Sequence, residues 1–151
     1  MRFPYSAGVA EIGVDDGVFS RSILRTDPSR LHLIDPWKKQ TGDYARDGTN
    51  EGDFEQKYRA VRETLGRMLS VEIIRDYSLK AAGRFPDSYF DWIYLDADHS
   101  YRAVTSDLEA WIRKIRPEAS SRGTTTVSTI GFKSNRPWTT FFAPTAGGWI
   151  T

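Results

Sequence analysis

The sequence predicts an α/β fold, a parallel sheet with helices on its faces. Short apolar runs alternate with amphipathic segments of helical length, and each run stops at glycine or a polar residue. No run reaches the roughly 18–20 residues of a membrane span.

The first run, Val9 to Val14, reads as a buried strand broken by Gly13. Asp15-Asp16-Gly17 turns the chain, and Val18 to Arg25 is a helix with Phe19, Ile23 and Leu24 on one face. Arg30 to Asp35 is the second strand, stopped by Pro36. Lys38 to Asp53 is polar and Gly-bearing, a loop or lid. Phe54, Tyr58, Val61, Leu65 and Leu69 stand at helical spacing, so Phe54 to Leu69 is an amphipathic helix. Val71 to Arg75 is the third strand and Ser78 to Gly83 a short helix. Phe90 to Asp96 is the fourth strand. Ser100 to Ile115 follows as a helix with Val104, Leu108, Trp111, Ile112 and Ile115 inward. Right-handed crossovers join such units, and ligands sit beyond the carboxyl ends of the strands.

Composition narrows the function classes. A chain of 151 residues fits one domain with a real core, and 5 Trp, 7 Tyr and 8 Phe argue against disorder. A net charge of +1 removes the simplest electrostatic case for nucleic acid or a membrane surface as partner. The absence of Cys excludes disulfides and thiolate metal sites, and 2 His are too few for an all-histidine zinc centre. Met1 to Ser6 lacks a long apolar stretch, so a cytoplasmic protein is expected. Nothing in the sequence sets an oligomeric state.

The strand ends carry the chemistry. The first ends in Glu11-Ile12-Gly13-Val14-Asp15-Asp16-Gly17, where glycines let a backbone approach a ligand. A dinucleotide fold would want glycine at position 11. An acid there repels a pyrophosphate and suits a cationic ligand; a plain tight turn is the alternative. Asp35, 24 residues on, is placed to accept both ribose hydroxyls of a nucleotide, or to cap the turn before Pro36. Ser78, after Asp76-Tyr77, is a plausible N-cap, a role compatible with adenine contact. Asp96-Ala97-Asp98-His99 puts two carboxylates and an imidazole directly after an apolar strand, an arrangement that calls for a cation or a shared proton. Mg²⁺, Mn²⁺ or Ca²⁺ would suit such oxygen ligands, unless Asp98 or Ser100 merely caps the next helix.

Together, Glu11 to Ser20, Leu31 to Trp37, Asp76 to Ser78 and Phe90 to Tyr101 resemble the class I S-adenosylmethionine-dependent methyltransferases. The closest likeness is to the metal-assisted small-molecule O-methyltransferases that include macrocin-type sugar methyltransferases. The resemblance covers roughly residues 7–117 and implies a Rossmann-like sheet. It also implies that Glu11, Gly13 and Gly17 line the methionine part of the cofactor and that Asp35 holds the ribose. Tyr77 and Ser78 would lie near the adenine. Asp96 would border the cofactor and bind a divalent cation such as Mg²⁺, and Asp98 or His99 would take the proton of a small-molecule hydroxyl. Two other readings stand beside it: a non-catalytic nucleotide-fold fragment, and an NAD(P)-dependent oxidoreductase, against which Glu11 speaks.

The chain changes character at Pro117. Residues 1–116 hold 19 of the 20 acidic side chains, while 8 of the 13 Thr fall in the last 35 positions. The family would continue with a Gly-Gly turn, a fifth strand and a segment close to Gly-His-Asp-Tyr. Glu118 to Thr126 can be encoded GAG-GCA-TCA-TCG-CGG-GGC-ACG-ACT-AC, which from its third base reads Gly-Ile-Ile-Ala-Gly-His-Asp-Tyr. The single Trp codon at Trp138-Thr139 forces an Asp in the same alternative frame. Arg outnumbers Lys 15 to 6, as in a GC-rich gene, where such frames stay open. The expectation is therefore a core over 1–117, a sheet truncated after the fourth strand, and a frame-shifted, loosely packed tail over 118–151.

Overall fold

The computed structural model describes residues 8–38, 51–98, 100–117, 129–132 and 139–142, the last two segments and residues 51–52 as backbone only. Strand β1 is Gly8–Ile12, followed by α1 (Val18–Leu24), β2 (Arg30–Ile34), α2 (Glu51–Thr64) and β3 (Val71–Ile74). Then come α3 (Ser78–Ala82), β4 (Trp92–Leu95), α4 (Tyr101–Trp111) with a 3-10 turn over Ile112–Lys114, β5 (Thr129–Phe132) and β6 (Thr139–Phe142). The sheet order is β3-β2-β1-β4-β5-β6. All pairs through β5 are parallel; β5 and β6 are antiparallel.

This order follows from the way the strands are buried. Stepping from β1 to β2 to β3 keeps α1 and α2 on one face, where Val9, Leu31, Leu33, Val61 and Leu65 form one core. The chain then crosses back past β1 to β4. That reversal puts α3 and α4 on the opposite face, over Ala10, Ile12, Ile34, Ile93, Phe90 and Trp111. Successive residues of one strand enter opposite cores, which is why the strands read as continuous apolar runs.

Several expectations need correction. The second helix ends at Thr64, well before Leu69, because the chain turns tightly at Gly66: a Cβ there would lie 2.6 Å from the Arg62 carbonyl oxygen. Leu69 consequently swings out and is 96% exposed. Residues 51–53, read as part of a lid, belong to α2; positions 39–50 of that stretch lie outside the described residues. The fourth helix gives way to the 3-10 turn after Trp111. Trp111 and Ile115 are buried as expected, but Val104, Leu108 and Ile112 are only half-buried.

The sheet does not stop at β4. Thr129–Phe132 runs parallel beside it, pairing Ile93 with Ile130 and Tyr94 with Gly131, so β4 is an inner strand. Ile115 already stands in a parallel bridge with Phe90. A strand continuing from that bridge would set residue 118 opposite Ile93; Ile130 occupies the place, twelve positions later. The packing expected of the tail's other residues lies outside the described segments. Among the described residues no helix is long and apolar enough to cross a membrane.

Candidate functional site

The strand order reverses between β1 and β4, and an α/β sheet opens its ligand crevice at such a reversal. The turn after β1 is shaped for it. Gly13 has φ +88°, and a Cβ on it would lie 2.3 Å from the Asp96 carbonyl oxygen, so only glycine lets the ends of β1 and β4 touch. The Gly13 N–H donates to Ile34 O and the Asp96 N–H to Ile12 O, which ties the ends of β2, β1 and β4 together. Gly17, at φ +75°, starts α1, and Asp16 accepts the Val18 N–H.

Glu11 lies beneath this turn, 1% exposed, accepting a hydrogen bond from the buried Ser20 hydroxyl at 2.5 Å. Burial, with the charges of Asp96, Asp35 and Asp16 adding to it, pushes its carboxyl up to about 8 against the pull of Ser20. Asp35 is the keystone of the neighbouring turn. One oxygen accepts the Val14 and Asp15 N–H groups at 2.9 and 3.0 Å, the other the Trp37 N–H at 2.6 Å. Burial raises the Asp35 carboxyl, and these three donors oppose the rise. The carboxylate caps the turn, as one reading had it, and these three donors leave it one further lone pair.

At the end of β3, the N-cap of α3 is Tyr77, not Ser78 as expected. Ser78 is the first helical residue, and its hydroxyl turns toward α4, donating to Asp107 at 2.5 Å and accepting from the Trp111 indole at 2.8 Å. Tyr77 itself is 48% exposed.

At the end of β4, the Tyr94 ring stacks on Phe19 at 4.1 Å and its hydroxyl donates to Asp96 at 3.5 Å. Burial and the charges of Asp96 and Glu11 push the Tyr94 phenol well up, so it stays a donor. Asp98 accepts the Ser100 N–H at 2.7 Å, and Ser100 caps α4 by accepting the Ala103 N–H. Ser100 therefore does the capping that was the plainer reading of this segment, and Asp98 holds the cap residue's own N–H. His99 lies outside the described residues. Among the described residues no group of three or more His, Asp or Glu is placed to hold a metal ion. Asp96 and Asp98 alone make an incomplete ligand set.

Sequence reasoning missed four residues here. Ser20 and Asp107 are buried polar partners of expected site residues. Trp37, buried with φ +41°, donates its indole N–H to Asp15 O at 2.8 Å and backs the first turn. Arg75 lies 4.3 Å over the Tyr58 ring, pairs with Glu55 at 2.7 Å and donates to the Trp37 carbonyl. It thereby clasps α2 to the turn after β2. Ser20 sits three residues after Gly17, on the helix side facing β1, which is the one spacing that could have flagged it.

A family model described as a methyltransferase domain matches residues 10–120. No curated protein matches the chain in sequence. Among solved structures it is similar to an S-adenosylmethionine-dependent methyltransferase from Mesorhizobium loti, at 14% identity and TM-score 0.55, over 84% of this chain and 45% of that one. A similar match, at 15% identity and TM-score 0.53, is an S-adenosylmethionine-dependent methyltransferase from Archaeoglobus fulgidus, over 89% and 48%. Spermidine synthase from Thermotoga maritima matches at 16% identity and TM-score 0.58, over 89% and 40%. The chain thus spans less than half the length of these structures, and at such identities the likeness shows the fold. With the family model covering both cores and every strand end described above, the chain belongs to the methyltransferase-domain family.

Proposed function

We propose that this chain binds S-adenosylmethionine across the carboxyl ends of β1, β2 and β4 and passes its methyl group to the hydroxyl of a small molecule. The observation that carries this reading is the glycine-only contact of Gly13 with Asp96 at the strand-order reversal, with Glu11, Asp16 and Asp35 close by. Such a concentration of carboxyl groups suits a sulfonium or ammonium ligand and disfavours a pyrophosphate, which weighs against the NAD(P) alternative. Asp35 would take the ribose hydroxyls, Tyr77 would face the adenine, and Glu11 would lie under the methionine part. The bound cofactor supplies an electrophilic methyl on sulfur. Asp98 or His99 would accept the proton of the acceptor hydroxyl as the displacement proceeds in line. A divalent cation held by Asp96 belongs to the same proposal, supported by the residue types and not by a complete ligand set.

Titration calorimetry with S-adenosylmethionine, S-adenosylhomocysteine, NAD and NADP tests the reading. The two sulfur compounds should bind, and Asp35→Ala should weaken them by at least about tenfold, since hydrogen bonds to a charged group are each worth roughly 1.5–3 kcal/mol. Equal affinity in wild type and variant, or preference for a dinucleotide, overturns it. Binding without methyl transfer to any hydroxyl acceptor favours the non-catalytic fragment. Transfer undiminished by a chelator and by Asp96→Asn removes the cation alone.

We propose in addition that residues 118–151 are read out of frame. The family match ends at residue 120, and the alternative frame supplies an apolar segment from the position where the Phe90–Ile115 bridge would continue as a strand. The pairing of β5 with β4 speaks against it, since no such strand was expected.

A further inference from the structure

The core-facing stripe of α4 contains a carboxylate. Asp107 is 7% exposed, and burying a charge costs several kcal/mol unless its partners compensate. It accepts from the Ser78 hydroxyl at 2.5 Å, which itself accepts from the Trp111 indole at 2.8 Å, one turn further along α4. Ser78 is thus held between two residues of α4, and its only free capacity is one lone pair. The residue before it, Tyr77, is the exposed N-cap of α3 at the carboxyl end of β3, and Leu79 beyond it is exposed as well. Apolar surface is left open beside the crevice, on a helix of five residues too short to hold its own position. At its site end that helix is held by the Asp107–Ser78–Trp111 chain on the α4 side and by buried Asp76, which accepts the Tyr77 N–H at 3.0 Å and pairs with Lys80 and Arg84.

We infer that Asp107 is a positioning residue for the adenine side of the cofactor site: through Ser78 it sets the place of Tyr77, against whose ring the base stacks. The inference rests on the cofactor reading above. An apolar residue at position 107 would satisfy burial more simply but would leave the Ser78 hydroxyl without its acceptor. Burial disfavours the ionised form of Asp107, the Ser78 hydrogen bond opposes that, and the nearby charge of Asp98 adds a smaller cost.

The test compares two ligands on the intact chain, S-adenosylhomocysteine and S-ribosylhomocysteine, which lacks the base. Asp107→Leu should weaken the adenine-bearing ligand by about tenfold, the worth of one hydrogen bond of about 1.4 kcal/mol, and leave the base-free ligand within about twofold. Asp107→Asn keeps an acceptor for Ser78 and should restore most of the lost affinity. Equal weakening of both ligands, or none for either, makes Asp107 a plain structural residue and overturns the inference. If Asp107→Leu does not fold, Ser78→Ala reads the same coupling from the other partner, with the same split expected. Wild type that binds neither ligand overturns the cofactor reading itself, an outcome distinct from either result on the variants.

Discussion

Glu11 shows how one side chain carries opposite demands. It is a carboxyl group beneath a turn, accepting a hydrogen bond from Ser20 with three further carboxylates around it. Its folded-state value of about 8 lies above the ordinary 4.5, so the folded protein binds a proton that the unfolded chain releases. The sign follows: Glu11 costs no stability below about pH 4.5, costs more as pH rises from there, and costs most above about pH 8. Glu11→Gln should therefore raise the melting temperature at pH 8.5 and change it little at pH 5, by about 2–4 °C for each kcal/mol in a chain of this size. Thermal melts at the two values check it; an equal shift at both would show that charge is not the cause. The same variant should bind S-adenosylmethionine more weakly at pH 8.5, because a site that favours a cation gives up stability to do so. The pattern Glu-x-Gly was legible in the sequence. The burial of the acid and its Ser20 partner were not, since both depend on α1 folding back over β1.

Among the elements, the turn between β1 and α1 decides whether there is a site. Gly13 is held at positive φ by its N–H bond to Ile34 O and abuts the Asp96 carbonyl. Gly13→Ala adds a methyl group 2.3 Å from that oxygen in a backbone conformation that L side chains rarely adopt. The expected cost is about 2–5 kcal/mol, and calorimetric binding should be lost even in whatever fraction stays folded. Retained affinity with an unchanged melting temperature would show that β1 and β4 need not touch. Four helices and four parallel strands were read from periodicity alone, with ends shifted by a few residues. The largest shift, at α2, arose because Gly66 ends the helix while the apolar spacing runs on to Leu69.

In the molecule as a whole, the sheet is continued past β4 by β5 and β6. β4 is covered by a strand that arrives twelve positions after the Ile115 bridge would have continued it. The nucleotide sequence around Pro117 should show one inserted or lost base, and the restored frame should read Gly-His-Asp-Tyr shortly after it. Expressed in that frame, the protein should melt at a higher temperature, because a strand laid directly beside Ile93 buries the apolar edge of β4 over its full length. A nucleotide sequence whose alternative frame does not encode that segment overturns the frame-shift reading and leaves β5 as the native fifth strand.

The sequence by itself determined the α/β class, the order of the first four strands along the chain and the strand ends where Glu11, Gly13, Asp35 and Asp96 stand. These depend on local periodicity and on residues that break it, which neighbouring positions encode. Only the tertiary structure decided that β1 lies between β2 and β4, that Asp35 fastens the first turn, and that Ser78 faces Asp107 and Trp111 instead of capping its own helix. It also brought a strand from beyond Pro117 to the exposed edge of β4. Each of these joins residues 20 or more positions apart, and such contacts form only when apolar burial has brought the elements together.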